Sequence, residues 1–493
     1  MIFYVINLAL QFFSRKIFLE YLGTEILGLN TTAMNLLQFL NLAELGISAA
    51  VGFTLYKPLH DDDRNTINEI VSLQGHLYRR IAWMIIAGAA ILMCFFPWIF
   101  SKTNLPLWYA YASFGVLLFS ALLGYFVNYR QIVLTASQQD YKVLYSYKSV
   151  MIIKVAFQMF AVWKLPDGYV WWLILEALFA AIASWTLHRM TVRTFPFLKH
   201  VNDSFSVLRT RYPEFTTKIK QLFFHKVAGF ALTQSSPIII YAYTSLNVVA
   251  LYGNYVIITT GIQSLVSAIF NSMSAGVGNL VAENNRNKII RVFDELFSIR
   301  FFIAATLCFC VYTLTPSFIS LWIGQEYLLP DSTLLLIVIL LFISIIRITV
   351  ENFIFAYGIF SDIWAPMTEA VLNIVGSVVF GYYFGLNGIL FGVILSLVII
   401  VLIWKPYFLF TYGMHSSLSY YWRMFFIHLI LGIVIAIVSI YVMGFFHINP
   451  VKDISSFLIK AIPNVFIYGT TLLSVLYIFT PGMKAFVHRV LHR

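Results

Sequence analysis

The sequence predicts an all-α, polytopic membrane protein with about fourteen transmembrane helices. Three observations lead there. First, 60% of the residues are hydrophobic and only 11% are charged, far from the balance of a soluble domain. Second, apolar runs of roughly 20 residues, the length that crosses a bilayer as a helix, recur along the whole chain between short polar breaks. Third, these runs are longer than barrel strands and do not alternate as barrel strands do. Helices, which satisfy their own backbone polar groups in lipid, are then the remaining choice.

Taken in order, the apolar runs place spans near 2–22, 29–56, 81–100, 106–128, 143–164, 169–188 and 221–245, then 248–280, 301–323, 332–357, 366–384, 387–410, 423–445 and 456–479. With the N-terminus inside, one set of loops receives Lys57, Arg64, Arg79, Arg80, Arg130 and Lys142, then the cations of 189–220, then Arg286, Lys288, Arg291, Lys405 and Arg423. Lys484, Arg489 and Arg493 follow on the same side, whereas the opposite loops hold little beyond Lys102, Lys164 and Lys452. Positive charge collects on the cytoplasmic side of membrane proteins, so both termini are expected to be cytoplasmic. The formal net charge of +11 is then a topology signal, and a nucleic-acid partner is not expected. Cys94, Cys308 and Cys310 lie in apolar runs and read as small core residues, with no disulfide framework, metal site or redox role. The first apolar segment runs into EYLGTEILGLN without a small-residue cleavage pattern, so no cleavable signal peptide is expected.

No loop is long enough to fold as a domain outside the bilayer. The longest, RMTVRTFPFLKHVNDSFSVLRTRYPEFTTKIKQ at 189–221, is basic and helix-compatible, as expected of an amphipathic connector on anionic lipid. It sits near mid-chain. Two long segments, LGLNTTAMNLLQFLNLAELGISAAVGFTLYKPLHDDDRNTINEIV and LYGNYVIITTGIQSLVSAIFNSMSAGVGNLVAENNRNKIIRVF, share an order of features ending in Arg64-Asn65 and Arg286-Asn287. A parallel duplication with two pseudo-symmetric lobes follows. The expected division is an N-terminal lobe over 1–190, a basic connector over 191–220, a C-terminal lobe over 221–410 and two further helices over 411–493.

Polar residues within spans are the candidate functional groups, because lipid-facing positions avoid them and a cavity or helix interface accepts them. Asn7, Gln11 and Arg15 recur every four residues and share a helix face. The second span carries Asn35, Gln38, Asn41, Glu44 and Ser48, the eighth Gln263, Ser267, Asn271 and Ser274, and the seventh His225 or Lys226 with Gly229, Thr233 and Ser236. Lys154 lies inside the fifth span, Glu176 inside the sixth, and Arg347 with Glu351 inside the tenth. Interhelical hydrogen bonds of about 0.6 to 2 kcal/mol are the alternative role for the uncharged ones, and Arg347 with Glu351, at i,i+4, suits a neutralised pair as well as a ligand site. A charge at mid-membrane costs at least about 2.5 kcal/mol, so Arg15, Lys154 and Glu176 need something to offset them. Arg15, Lys154, Lys226 and Arg347 against Glu44, Glu176 and Glu351 leave a slight cationic surplus, which favours an anionic substrate. Gly23, Gly28, Gly46, Gly52, Gly253, Gly276 and Gly278 suit hinges or close helix packing.

The run YLGTEILGLN…LLQFLNLAELGISAAVGFTLYKPL at 21–59 resembles the start of bacterial polysaccharide flippases of the multidrug/oligosaccharidyl-lipid/polysaccharide exporter superfamily. The likeness continues in FFHKVAGF, VALYGNYVIIT, LWIGQEYLLP and FAYGIFSDIWAPMTEAVLNIVGSVVFGYYFGLNGILFGVILS. It implies two lobes around a central cavity and export, by alternating access, of a polyprenyl-pyrophosphate-linked oligosaccharide across the bacterial cytoplasmic membrane, alongside membrane lipid and other polysaccharide-assembly proteins. Substrate-binding residues are then expected at Arg15, Lys154, Lys226, Arg347, Gln11, Asn41, Gln263 and Asn271, with ion coupling at Glu44, Glu176 and Glu351. The chain departs from the pattern in two places. Only fourteen residues precede Arg15, and TQSSP offers Gln234, Ser235 and Ser236 where members often carry an Asp, which puts carboxylate coupling on the seventh helix in doubt. A cation-coupled drug antiporter of the same superfamily is the alternative. An enzyme is not expected: the outer loops are short, Asp61, Asp62 and Asp63 read as a solvated turn, and no phosphate-binding G-x-x-x-x-G-K motif or other cofactor signature appears.

Overall fold

The computed structural model describes the chain apart from residues 1, 45–46, 102, 138, 214–235, 271–276, 278–279, 282, 284, 360, 363, 446–452 and 492–493. Among the described residues the protein is all-α, and nine helices are long and apolar enough to cross a membrane. It is a polytopic membrane protein. Two compact units, 1–250 and 251–493, divide the chain.

In the first unit, α1 (Ile2–Leu40) merges the first expected span with the start of the second, and its helical geometry breaks only at Gly23, with φ 79°. That backbone conformation is open to glycine and strained for other residues. A 3₁₀ turn at Asn41–Glu44 follows, then α2 (Ile47–His60). The expected continuous span 29–56 is therefore interrupted. α3 (Arg64–Cys94) starts earlier than the span it contains, and α4 (Leu107–Phe126), α5 (Ser149–Lys164) and α6 (Gly168–Thr194) follow. α1 packs on α4 and α5, α3 on α2 and α4, and α6 on α4 and α5. Val51, Leu55, Ile67, Val71, Ile81 and Val133 form part of the core.

The connector is strapped to α3. Asn68 Nδ2 donates to the Phe197 carbonyl at 3.1 Å, the Val201 amide to Ser72 Oγ at 2.9 Å, and Tyr212 Oη to Glu69 Oε2 at 2.6 Å. Arg211 pairs with Glu69 from the short helix α7 (Phe205–Arg211), and the Arg80 guanidinium sits 4.1 Å from the Phe205 ring. One side of 195–212 is thus tied to the protein, while Lys199, Asn202, Arg209 and Thr210 stay exposed. Residues 214–220 lie outside the described residues.

α8 (Leu246–Phe270) contains the boundary between the units. The second unit continues with α9 (Arg286–Trp322), α10 (Asp331–Tyr357) and α11 (Trp364–Leu397), which breaks at Gly385, φ 56°, between the expected spans 366–384 and 387–410. A π-helical stretch, Val398–Trp404, prolongs it. Then come α12 (Leu418–Phe445), α13 (Ile454–Phe479) and the short amphipathic α14 (Pro481–Leu491). Phe293, Phe297 and Phe301 recur at i,i+4 on one face of α9 and pack with Phe353, Phe410 and Tyr421 in the core. Large aromatic side chains such as Trp98, Tyr382 and Tyr441 are more than 70% exposed, which suits lipid contact near helix ends.

The two Arg-Asn pairs match in local structure. Arg64 opens α3 behind the N-cap Asp63, whose carboxylate accepts from the Thr66 amide at 3.1 Å, and Arg286 opens α9 behind Asn285, which accepts from the Lys288 amide at 3.2 Å.

Candidate functional site

Three groups of the expected residues are brought together, two in the first unit and one in the second. The first surrounds Glu44. The turn at Asn41–Glu44 aims the carboxylate across at α3 and α4, where Tyr78 Oη donates to Glu44 Oε1 at 2.8 Å and Ser48 Oγ does the same at 2.8 Å. Tyr125 Oη donates to Asn41 Oδ1 at 3.2 Å and lies 3.5 Å from Glu44 Oε2. The Tyr78 and Tyr125 rings meet edge-on, centroids 5.4 Å apart. A cavity of about 380 Å³ opens beside them, lined also by Gln74, Tyr129 and Gln131. Its lining holds one carboxylate, several amides and hydroxyls, and no cation. Gln74 Oε1 is buried there without a hydrogen-bond partner. The carboxylate and the surrounding amide groups suit a hydrated cation or a hydroxyl-rich ligand.

The second group lies between α5 and α6. Lys154 Nζ is 2.7 Å from Glu176 Oε1, and Gln158 Nε2 donates to Glu176 Oε2 at 2.9 Å. Gln158 also donates to the Trp172 carbonyl at 3.1 Å, so the carboxylate is held from both sides. A residue expected to bind substrate and one expected to couple ions neutralise each other here.

The third group is in the second unit. Arg347 Nη2 lies 2.7 Å from Glu351 Oε1 along α10, and Nη1 lies 3.7 Å from Glu369 Oε1 on α11. Glu369 is buried and was missed in the sequence, although a lone Glu in APMTEAVLN is the same kind of signal that marked Glu176. Arg300 was missed for the same reason: it is buried on α9, 4.3 Å over the Phe270 ring, and its Nε and Nη1 have no hydrogen-bond partner.

The other expected residues stand apart. Arg15 Nη2 donates to the Ala250 carbonyl at 2.9 Å, and Gln11 is exposed one turn earlier on α1. Gln263 Nε2 donates to Ser344 Oγ at 2.9 Å, an interhelical bond. Lys226 and Asn271 lie outside the described residues. Among the described residues Lys154 and Arg347 are ion-paired, while Glu369 adds a buried carboxylate and Arg300 a buried cation to those counted from the sequence. Pairing partners on neighbouring helices are set by packing, which a count of charges does not see.

No protein-family model and no curated protein matches the sequence. Solved structures do match. One, described as the lipid II flippase MurJ in an inward closed conformation, superposes with a TM-score of 0.67 over 97% of this chain and 98% of its own, at 14% identity. This chain shares that fold. A second structure, an inward-facing multidrug resistance MATE family transporter of the MOP superfamily, superposes with a TM-score of 0.60 over 81% of this chain and 94% of its own, at 13% identity. At these identities the likeness is one of fold.

Proposed function

We propose that the protein is a flippase that carries polyprenyl-pyrophosphate-linked oligosaccharide repeat units from the cytoplasmic to the outer leaflet of the bacterial cytoplasmic membrane, by alternating access, for surface polysaccharide biosynthesis. The observation that carries this reading is the extent of the structural match: a lipid-linked-substrate flippase aligns nearly end to end, whereas the drug transporter leaves almost a fifth of this chain unmatched. The motifs of 21–59 and 355–396 support the same class.

The chemistry asks for two things. The diphosphate head needs charge-assisted donors in place of water, and Arg15, Lys154 and Arg347 supply them, arginine offering the bidentate fork. The glycan needs amide partners for its hydroxyls, a role we give to Gln11, Asn41 and Gln263, of which Asn41 and Gln263 exchange their present bonds to Tyr125 and Ser344 for the sugar, with Lys226 and Asn271 assigned substrate contacts from the sequence. Lys154 and Arg347 are held by carboxylates in this structure, so a diphosphate that binds them displaces Glu176 or Glu351. An inside-negative potential adds roughly 2.3 kcal/mol per uncompensated cargo charge per 100 mV in the outward direction.

The test is flipping of a defined polyprenyl-pyrophosphate glycan in vesicles, with wild type, Arg15→Ala and Lys154→Ala. Loss of transport in the variants supports the assignment; no flipping by wild type removes it. A second reading, a cation-coupled drug antiporter, is favoured by the Glu44 cavity, which holds a carboxylate and no cation. Drug efflux without lipid flipping would establish it.

A further inference from the structure

We infer that the protein holds an anionic phospholipid of the surrounding membrane in a cleft on the outer surface of its first unit, at the ends of α5 and α6. Trp185, Arg189 and Arg193 recur at i,i+4 along the last three turns of α6 and form one stripe. The facing wall is a single π-helical turn, Leu144–Lys148, that leads into α5. A π turn widens the helix by one residue, and the carbonyl of Ser146 within it accepts from Thr186 Oγ1 at 2.7 Å. Between the two walls lies a cleft of about 400 Å³ lined by Tyr145, Ser146, Trp185, Thr186, Arg189 and Arg193.

Three features give the occupant. The charge is positive: neither Arg189 nor Arg193 makes an ion pair among the described residues, and Lys142 lies beside them, its Nζ 3.2 Å from Thr194 Oγ1. Lys148 is exposed on the π turn, and the one carboxylate of this stretch, Asp140, opens the preceding helical turn. The walls are aromatic and open, with Trp185 58% and Tyr145 62% exposed, and the Arg189 guanidinium lies 5.3 Å from the Trp185 ring. The depth is that of lipid headgroups, because α6 is 27 residues long and the arginines occupy its final turns. Two guanidiniums over an aromatic floor at headgroup level fit a phosphodiester with its acyl chains lying along Val150 and the outer face of α6. The Lys and Arg bias of the loops makes this the cytoplasmic leaflet. This inference rests on the membrane-spanning fold and stands or falls independently of what the protein transports.

The experiment is native mass spectrometry of delipidated full-length protein titrated with dioleoylphosphatidylglycerol or dioleoylphosphatidylcholine. Wild type should retain one tightly held phosphatidylglycerol and discriminate against phosphatidylcholine. In the Arg189→Gln/Arg193→Gln double variant that binding should weaken about thirty-fold, the equivalent of about 1 kcal/mol for each of two surface cations, while phosphatidylcholine binding stays as it was. Arg189→Lys/Arg193→Lys should recover most of the loss. Equal phosphatidylglycerol affinity in wild type and a folded double variant overturns the site, and so does equal binding of the two lipids by wild type. Competition by inorganic phosphate at the same affinity, or stoichiometric displacement by a polyprenyl pyrophosphate, overturns the assignment to a bulk phospholipid. If the double variant fails to fold, Arg189→Gln alone, with about a fivefold weakening expected from one cation, makes the same decision.

Discussion

Lys154 and Glu176 face each other at 2.7 Å between α5 and α6, with side chains only 12% and 10% exposed. Two charges that were legible separately in the sequence are one neutral unit in the fold. Removing one partner of a buried pair leaves the other uncompensated, at a cost of about 3–5 kcal/mol, whereas replacing both is close to neutral. Lys154→Ala should therefore lower stability by about that amount, and Lys154→Met/Glu176→Gln should restore most of it. Thermal unfolding in detergent measures both. Equal destabilisation by the single and double variants would show that the pair does not act as a unit.

Glu44 should behave as a coupling group and Tyr78 as its support. Glu44→Gln, which removes the charge but keeps the shape, should abolish gradient-driven transport in vesicles while leaving downhill exchange of the same substrate. Tyr78→Phe removes a donor to a carboxylate and should cost about 1.5–3 kcal/mol of stability. Unaltered gradient dependence in Glu44→Gln would exclude the cavity from coupling.

Gly28 sits where α1 touches the first turn of α8, and a Cβ there would lie 2.2 Å from the Leu246 carbonyl oxygen. Gly28→Ala should destabilise by about 1–3 kcal/mol through forced separation of the helices. Gly23 has nothing within 4 Å of the same position, so Gly23→Ala should cost about 1–2 kcal/mol through its positive φ alone. A melting series on both variants separates contact from conformation, and an unchanged melting temperature for Gly28→Ala would contradict the close approach.

The connector strap should loosen in acid. His200 is held below the usual imidazole range, first by burial and then by Arg79, His76 and Arg130. Its ring lies 5.4 Å from that of His76, and Nδ1 is 3.3 Å from Ser72 Oγ. With the folded value below the unfolded one, the unfolded chain takes up the proton first. The stability this group contributes is therefore complete above the ordinary histidine range, near pH 6.5, and is lost as pH falls from there towards the lowered value. Thermal unfolding of wild type should show this slope between about pH 7 and 5, and His200→Gln should flatten it. An identical slope in both proteins would place the acid sensitivity elsewhere.

Much of the helical framework was readable from composition because a bilayer leaves the backbone few choices. Runs such as 332–357 and 456–479 reappear as α10 and α13 nearly to the residue, and the break between 366–384 and 387–410 falls on Gly385. The span 29–56 was read as one helix because its apolar content is continuous. The chain instead turns at Asn41–Glu44, where the tyrosine hydroxyls of α3 and α4 receive the polar side chains. Glu44, Lys154, Glu176, Arg347 and Glu351 were legible as polar residues inside apolar runs, and all have polar or charged partners; Glu369 lies in a run read as apolar, and Arg300 just ahead of the expected span 301–323.

Composition and run length alone make this chain a bundle of membrane-spanning helices, since the energy of burying a backbone in lipid depends on those two properties. Which charge meets which follows from the packing of the helices. Coulombic and hydrogen-bond energies inside a protein depend on distances between helices far apart in the chain, and those distances are set by packing.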